Sequence, residues 1–196
     1  MLALLDALPR GTRFVYCSSD HVFGGDRGPY RESDPSHPVS VYGKTRCAAE
    51  TVITRERPDA LIVRHGLGIG PSASGKSGHL DWLRYRTVRG LPTTVIADEV
   101  RSAVWSEQLA DRIWKLAHSG VAGIRHVAAT AASSRVDLAR YLDTRFGIGA
   151  KLAVAMRHEQ SVPHIGNVEL GTEHNDPLAM PLAAVGAPVT EIASRS

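Results

Sequence analysis

Apolar residues along this chain alternate between short continuous runs and longer runs with helical spacing. Residues 13–18 and 60–63 are continuous β-prone runs in which polar and apolar residues do not alternate, which is typical of strands buried on both faces of a parallel sheet. In the longer runs, apolar residues recur every three to four positions, as on the buried side of a helix. The pattern predicts, in chain order, helix 2–8, strand 13–18, helix 42–55, strand 60–63, helix 79–89, strand 93–97, helix 106–118, strand 123–127 and helix 134–146.

Strands that alternate with helices predict an α/β fold with a parallel sheet and right-handed crossovers. Ser133 or Ser134 is expected to cap the last of these helices. Residues 24–41 are rich in Gly, Pro, Ser and Asp and predict a long surface loop, a kind of segment that often carries function. From about residue 162 onward, Pro and Gly recur and no regular element is predicted.

Composition excludes several classes of protein. The 196 residues are 43% hydrophobic and 22% charged, enough for a globular core and unlike a disordered chain. Lys plus Arg exceed Asp plus Glu by 23 to 20 without clustering, so no nucleic-acid partner is expected. No apolar run approaches the roughly 20 residues that span a bilayer. With Cys17 and Cys47 as free thiols and the histidines lacking metal-ligand spacing, we expect a cytoplasmic protein without membrane contact or a metal site.

Candidate chemistry concentrates where the first predicted strand ends. This strand delivers Ser18, Ser19 and Asp20 at its carboxyl end, the edge at which open α/β sheets bind ligands. The helix after the long loop adds the phenol of Tyr42 and, one turn later on the same face, the guanidinium of Arg46. A hydroxyl donor, a phenol and a cation suit proton delivery to a carbonyl, because a nearby positive charge favours the phenolate form.

Three spaced motifs in this region resemble one known family. They are Ser18-Ser-Asp-His-Val-Phe-Gly-Gly25, Tyr30-Arg-Glu-Ser-Asp34 with Pro38, and Tyr42-Gly-Lys-Thr-Arg-Cys-Ala-Ala-Glu50. This pattern is similar to the extended short-chain dehydrogenase/reductases, most closely to the dTDP-4-dehydrorhamnose reductase group. The similarity covers roughly residues 1–150 and is strongest over 13–50. It implies NADPH- or NADH-dependent reduction of a 4-keto sugar nucleotide.

The resemblance implies a role for individual residues. Ser19 would polarise the substrate carbonyl, Tyr42 would donate the proton, and Arg46 would assist it while the cofactor supplies hydride. Ser18, Tyr42 and Arg46 would also contact the cofactor. The residues that would bind the sugar nucleotide are Asp20, His21, Arg64, Lys76 and Arg101.

The resemblance also implies a domain plan. The chain would be a single domain with a partial, Rossmann-like parallel sheet, corresponding to the C-terminal half of such a sheet, and a small α/β substrate lobe. Residues 1–66 would be a remnant of the dinucleotide-binding sheet with its Tyr-x-x-x-Arg helix, and residues 67–196 the substrate lobe with an irregular tail.

The chain departs from the family pattern at several points. Arg46 stands where the family has Lys, His21 where it has a second aromatic hydroxyl, and Leu67 where it usually has Trp. No Gly-x-Gly-x-x-Gly motif occurs in the sequence, so we expect the Gly-rich, N-terminal cofactor half to be missing. The first strand would then have one open edge, which a homodimer or a partner chain would cover.

Two other functions remain open at this point. Without a cofactor half, the chain could be a catalytically inactive module that binds sugar nucleotides or regulates another protein. Alternatively, Gly70-Pro-Ser-Ala-Ser-Gly-Lys-Ser77 matches the phosphate-binding loop of P-loop NTPases, with Val95-Ile-Ala-Asp-Glu99 as its acidic strand. If the chain is a reductase, the same segment is a Gly/Ser loop over the substrate cleft, where Lys76 contacts phosphate.

Overall fold

The computed structural model describes residues 1–9, 11–75, 78–129, 131–175, 178 and 182–186. Within these residues the helices are α1 (Leu2–Ala7), α2 (Val41–Glu56), α3 (His79–Val88), α4 (Ser106–His118) and α5 (Arg135–Phe146). The strands are β1 (Val15–Cys17), β2 (Leu61–His65), β3 (Gly68–Ile69), β4 (Thr93–Ile96), β5 (Val100–Arg101), β6 (Val104–Trp105), β7 (Gly123–Val127), β8 (Ser133–Ser134), β9 (Leu152–Ala155) and β10 (Asn167–Val168). Every predicted helix and strand is present, with each end within two residues of its predicted position.

A parallel three-stranded sheet in the order β1-β2-β7 supports the site. One face packs against α1 and α2 through an apolar cluster whose buried members are Leu5, Ile53, Ala60 and Ile62. The opposite face packs against α4 through a second cluster that includes Leu61, Val63, Leu109, Leu116 and Val127. β2 is therefore buried on both faces, as its unbroken apolar run predicts. For β1 the same prediction is wrong: the strand is only half-buried and Cys17 is exposed, because β1 lies at the edge of the sheet. None of the helices in the described residues is long and apolar enough to cross a bilayer.

β1 and β7 are the two edge strands of this sheet. Among the described residues, β1 has a neighbour on one side, β2, and none on the other. Cys17, at the end of β1, is exposed, and both Cys17 and Cys47 are free thiols as predicted. The third strand, β7, comes from residues that the sequence assigned to the substrate lobe, so the sheet extends beyond residue 66.

The structure also contains a second, mixed sheet. Its strand order is β10-β5-β8, with β5 parallel to β10 and antiparallel to β8. Two further parallel pairs, β4 with β9 and β3 with β6, complete the strands. The Ser134 Oγ accepts the Asp137 N–H at 3.0 Å at the start of α5, which confirms Ser134 as the cap.

The segment after residue 162 is short of regular structure but contributes to the core. Ile165, Val168 and Leu170 are buried in one cluster with Phe23 and Tyr30. Leu170 also forms an isolated parallel bridge with Tyr30. This part of the tail therefore anchors the long 24–41 loop beside the site.

Candidate functional site

The carboxyl end of β1 leads into a 3₁₀ helix at Asp20–Val22, and Ser19 caps it. The Ser19 Oγ accepts the His21 N–H at 3.2 Å and donates to the Asp20 Oδ1 at 3.1 Å. Ser19 is 5% exposed and Asp20 is fully buried. The Ser19 hydroxyl is thus held in place by Asp20 and His21. It lies at the carboxyl end of β1, where the sequence predicts it.

The first turn of α2 brings Tyr42 and Arg46 to the same place. The Ser40 Oγ accepts the Gly43 N–H at 3.0 Å, which fixes the start of the helix. The Arg46 Cζ lies 4.6 Å from the centre of the Tyr42 ring, as the predicted one-turn spacing requires. Tyr42 is 45% exposed, so a ligand can reach this phenol.

Gly43 allows α2 to approach the 3₁₀ helix closely. A Cβ at position 43 would lie 2.1 Å from the His21 carbonyl oxygen and 2.9 Å from the Pro38 Cβ. At this approach the rings of His21 and Tyr42 meet edge to face, with centroids 5.4 Å apart. The absence of a side chain at Gly43 is therefore what brings the Tyr42 phenol next to the turn that carries Ser19.

Replacing Gly43 with Ala is expected to push α2 away from the 3₁₀ helix, because the added Cβ would overlap backbone atoms. We expect a loss of about 1–3 kcal/mol in the free energy of unfolding, the usual cost of overpacking, measured by urea denaturation. Gly11→Ala is the matched control, because a Cβ at Gly11 meets nothing within 4 Å, and its effect should stay within about 0.5 kcal/mol. Equal stabilities for the two variants would contradict the close approach.

Ser18 and Arg64 face a different partner from Ser19. Successive side chains of an extended strand point to opposite sides, and the Ser18 Oγ donates a hydrogen bond to the Glu50 carboxylate of α2. Arg64 donates to the same carboxylate from Nη2 at 2.7 Å and from Nε at 3.1 Å. Both charged side chains are almost fully buried. The ligand roles of Ser18 and Arg64 stay predictions, and both side chains are already bonded to Glu50.

Asp20 and Arg101 form a buried ion pair across the site. The Arg101 Nη2 and Nε donate to the two Asp20 carboxylate oxygens at 2.6 and 2.7 Å, a two-pronged geometry that favours strong pairing. Burial alone would raise the pKa of Asp20, but the charge and hydrogen bonds of Arg101 outweigh it and hold the pKa below 3.8. The predicted contact between Arg101 and the sugar nucleotide stays a prediction, and the guanidinium is already paired with Asp20.

Four further titratable groups extend this pair into a cluster. Glu99 lies 3.4 Å from the Arg101 Nη1, 3.6 Å from the Arg135 Nε and 3.3 Å from the His164 Nδ1. The Arg135 Nη2 lies 3.0 Å from the His79 Nδ1. Burial, followed by the charges of Arg135 and Arg101, lowers the pKa of His79 to about 3, so this imidazole is neutral at pH 7. From the sequence, Glu99 is assigned only to the acidic strand of the alternative P-loop, Glu50 only to a family motif, and Arg135 to no site.

Residues 5–164 match the profile of the RmlD substrate binding domain. The chain belongs to this family. The match covers the 3₁₀ helix, α2 and the Asp20–Arg101 pair described above. It confirms the resemblance drawn from the three motifs between Ser18 and Glu50.

Two curated relatives of this RmlD-family chain are named as reductases. It is 35% identical over 128 residues to a probable dTDP-4,6-dihydroxy-2-methyloxan-3-one 4-ketoreductase from Streptomyces antibioticus, covering 64% of this chain and 42% of that protein. It is 33% identical over 129 residues to the dTDP-4-dehydrorhamnose reductase of Mycolicibacterium smegmatis, covering 64% and 39% respectively. The chain therefore spans less than half the length of these curated relatives.

The fold agrees with a solved structure of the same group. The dTDP-4-dehydrorhamnose reductase from Bacillus anthracis, solved in complex with NADP, superposes with a TM-score of 0.74 at 21% identity. The superposition covers 89% of this chain and 62% of the Bacillus anthracis protein. It confirms the predicted α/β class with a Rossmann-like parallel sheet.

A nicotinamide cofactor fits this RmlD-family chain in part. The exposed phenol of Tyr42 and the neighbouring guanidinium of Arg46 could face a nicotinamide and its ribose. The pyrophosphate of such a cofactor is held by a Gly-rich loop at a helix N-terminus, and the sequence contains no Gly-x-Gly-x-x-Gly motif. The residues present can therefore hold one end of the cofactor and lack the usual means to hold the other.

The predicted phosphate-binding loop lies only partly within the described residues. Lys76 and Ser77, which carry its chemistry and the predicted substrate contact, lie outside them. The short strand Gly68–Ile69 intervenes between the end of β2 at His65 and Gly70. A P-loop begins directly where its strand ends, so this spacing and the family match both favour the reductase over the NTPase.

Three side chains that could in principle coordinate a metal ion lie close together: the potential ligand atoms of Glu32, Glu173 and His174 are all within 4.8 Å of one another. The Glu32 carboxylate, however, already accepts the His126 N–H at 2.9 Å, the Thr172 hydroxyl at 2.8 Å and the Glu173 N–H at 3.0 Å. These three bonds attach the 171–173 segment to β7. These bonds explain why the Glu32 carboxylate is buried, and they give it a structural role.

Proposed function

We propose that this chain is the substrate-binding and proton-donating part of a sugar-nucleotide reductase that acts on a 4-keto sugar nucleotide. The observation that carries this proposal is the Tyr42 phenol, 4.6 Å from the Arg46 guanidinium and packed against the turn capped by Ser19. The names of the two curated relatives, both reductases of dTDP-linked keto sugars, support the substrate class.

In the proposed reaction, Ser19 and Tyr42 act on the carbonyl oxygen of the substrate. The Ser19 hydroxyl, which donates to Asp20 in the free chain, turns to donate to the carbonyl. The Arg101 guanidinium makes this possible because it offsets the charge of Asp20 and weakens the hold of the carboxylate on the hydroxyl proton.

Tyr42 then supplies the proton that converts the carbonyl oxygen to a hydroxyl. The Arg46 charge stabilises the resulting phenolate, and because Arg stays protonated it cannot pass a proton on. Tyr42 is reprotonated from solvent, to which it is exposed. Burial, and next the charge of Arg101, lowers the pKa of His21, so His21 adds no second positive charge beside Tyr42.

The nicotinamide cofactor, when bound, supplies the hydride, and in this proposal a partner chain holds its pyrophosphate. The open edge of β1 is the place where such a partner would add a strand. A homodimer could cover the same edge but would bring no Gly-rich motif. The NADP in the Bacillus anthracis reductase supports the cofactor class. The cytoplasmic location of this chain stays a prediction.

The proposal is tested by titrating the full chain with a dTDP-4-keto-6-deoxy sugar in a calorimeter and by following NADPH absorbance. We expect the sugar nucleotide to bind. We expect NADPH oxidation once the N-terminal dinucleotide-binding part of the Mycolicibacterium smegmatis reductase is added as a separate polypeptide. Binding without oxidation would identify an inactive binding module. ATP binding that is lost in Lys76→Ala, without sugar-nucleotide binding, would identify an NTPase.

A further inference from the structure

Arg46 lies between two phenols that come from different elements. Its Nη1 donates to the Tyr16 Oη at 3.0 Å. Its Cζ lies 5.7 Å from the centre of the Tyr16 ring and 4.6 Å from that of Tyr42. Tyr16 is half-buried in the middle of β1, whereas Arg46 and Tyr42 belong to α2. One guanidinium therefore connects the edge strand of the sheet to the phenol that we assign to proton transfer.

The Tyr16 hydroxyl restrains the guanidinium in a way that the Tyr42 ring cannot. A cation over an aromatic face is attracted to the ring but is free to slide and rotate over it. A hydrogen bond to a hydroxyl on a paired strand fixes one nitrogen and thereby the plane of the group. Burial lowers the pKa of Arg46, but the contacts with Tyr16 and Tyr42 outweigh it and raise the pKa. The charge is thus permanent and its position is set from two sides.

This arrangement also explains how Arg serves where the family has Lys. A Lys ammonium is a compact charge that neither stacks on a ring nor presents a planar fork. A guanidinium at position 46 stacks on Tyr42 and still has a nitrogen for the Tyr16 hydroxyl. In the sequence, Tyr16 is one residue of the β-prone run 13–18, and nothing there assigns a role to its hydroxyl.

We propose that Tyr16 is a positioning residue, whose hydroxyl holds the Arg46 charge beside Tyr42 and so sets the rate of proton transfer without touching the substrate. The inference rests on the proposed reductase function. It assigns the effect to the hydroxyl and not to the ring, whose packing against α2 is a separate contribution. It also makes the contribution of Tyr16 depend on Arg at position 46.

The test compares Tyr16→Phe, Arg46→Met and the double variant, all assayed with the added dinucleotide-binding polypeptide. Tyr16→Phe keeps the ring and removes the hydroxyl, so we expect kcat to fall about tenfold with the KM for the sugar nucleotide unchanged. In the Arg46→Met background the same change should have less than about a twofold effect, because Met has no donor for the Tyr16 hydroxyl. Equal losses in both backgrounds, or a change in KM alone, would overturn the proposal.

Tyr85→Phe is the matched control. Tyr85 is exposed on α3 and its ring lies 4.5 Å from the Arg89 guanidinium, so the variant removes a phenol hydroxyl near an Arg side chain away from the site. We expect its kcat and KM to equal those of the unmodified chain. A tenfold loss in this control as well would show that the effect of Tyr16→Phe is not specific to Arg46.

A second measurement does not depend on activity. By ¹⁵N NMR, the Arg46 guanidinium protons should exchange with water about tenfold faster in Tyr16→Phe and at an unchanged rate in Tyr85→Phe. Unchanged exchange in Tyr16→Phe would overturn the contact itself. Absence of turnover in the unmodified chain would overturn the reductase function and this inference together. Turnover with an unaffected kcat in Tyr16→Phe would overturn this inference alone.

Discussion

Tyr42→Phe is expected to lower kcat by about 10²–10⁴-fold, the usual contribution of a positioned general acid. The substitution removes the proton and leaves the ring, which packs against His21 and under Arg46. The thermal midpoint and the affinity for the sugar nucleotide should therefore change little. The measurement is the rate of NADPH oxidation with saturating sugar nucleotide and the added dinucleotide-binding polypeptide.

The interpretation of Tyr42→Phe depends on Tyr85→Phe, which removes an exposed phenol elsewhere and should leave kcat unchanged. A Tyr42→Phe protein that retains more than about half of its kcat would exclude Tyr42 as the general acid. Ser19→Ala offers a further comparison, because it removes the hydroxyl that the proposal places on the carbonyl oxygen while Tyr42 remains.

Arg101→Met is expected to lower the free energy of unfolding by about 3–5 kcal/mol, because it leaves the Asp20 carboxylate buried without its partner. Urea denaturation at pH 7 measures the effect. Adding Asp20→Asn should recover part of the loss, since the double variant buries no unpaired charge. Arg140→Met is the surface control: its pair with Asp137, at 3.9 Å, is largely exposed and should contribute no more than about 1 kcal/mol.

The same ion pair predicts how the Arg101→Met effect depends on pH. The pKa of Asp20 is held below 3.8 in the folded protein, so the unfolded chain binds the Asp20 proton more tightly. This contribution to stability is fully present above about pH 4 and is lost as the pH falls through the folded pKa. The stability difference between the unmodified chain and Arg101→Met should therefore shrink below pH 4. A stability difference that stays constant as the pH falls below 4 would show that Asp20 is not the group responsible for the Arg101→Met effect.

The longer elements of the fold could be predicted because each repeats its pattern several times. Helix α4, with apolar residues recurring along thirteen positions, shows a clear helical period. The strands β3, β5, β6, β8 and β10 have two residues each, too few for any period to appear. In the tail, Pro and Gly conceal the fact that Ile165, Val168 and Leu170 fill a buried cluster.

In the site, too, features that depend on local spacing could be predicted, and contacts between distant parts of the chain could not. The position of Ser19 at a strand end and the contact of Tyr42 with Arg46 could be predicted because each depends on local spacing, while the catalytic roles of these residues stay predictions. The Asp20–Arg101 pair could not, because its members are 81 positions apart and an isolated Arg in a polar segment looks like an exposed ligand. That Asp20 is the partner of Arg101 follows only from the fold, which brings β5 next to the turn after β1. Glu50 was part of a recognised motif, yet its contacts with Ser18 and Arg64 required the tertiary structure.

The open edge of β1 also constrains the symmetry of whatever covers it. In a dimer with a two-fold axis perpendicular to the sheet, two copies of β1 would run in opposite directions, giving a six-stranded sheet with one antiparallel step at its centre. A continuous parallel sheet, in contrast, needs a strand from a different segment. A two-fold axis parallel to the strands would keep two copies of β1 in the same direction, but it would set each N–H opposite its own copy, where no hydrogen bond forms. The direction of the strand beside Val15–Cys17 therefore distinguishes self-association from the addition of a cofactor-binding partner.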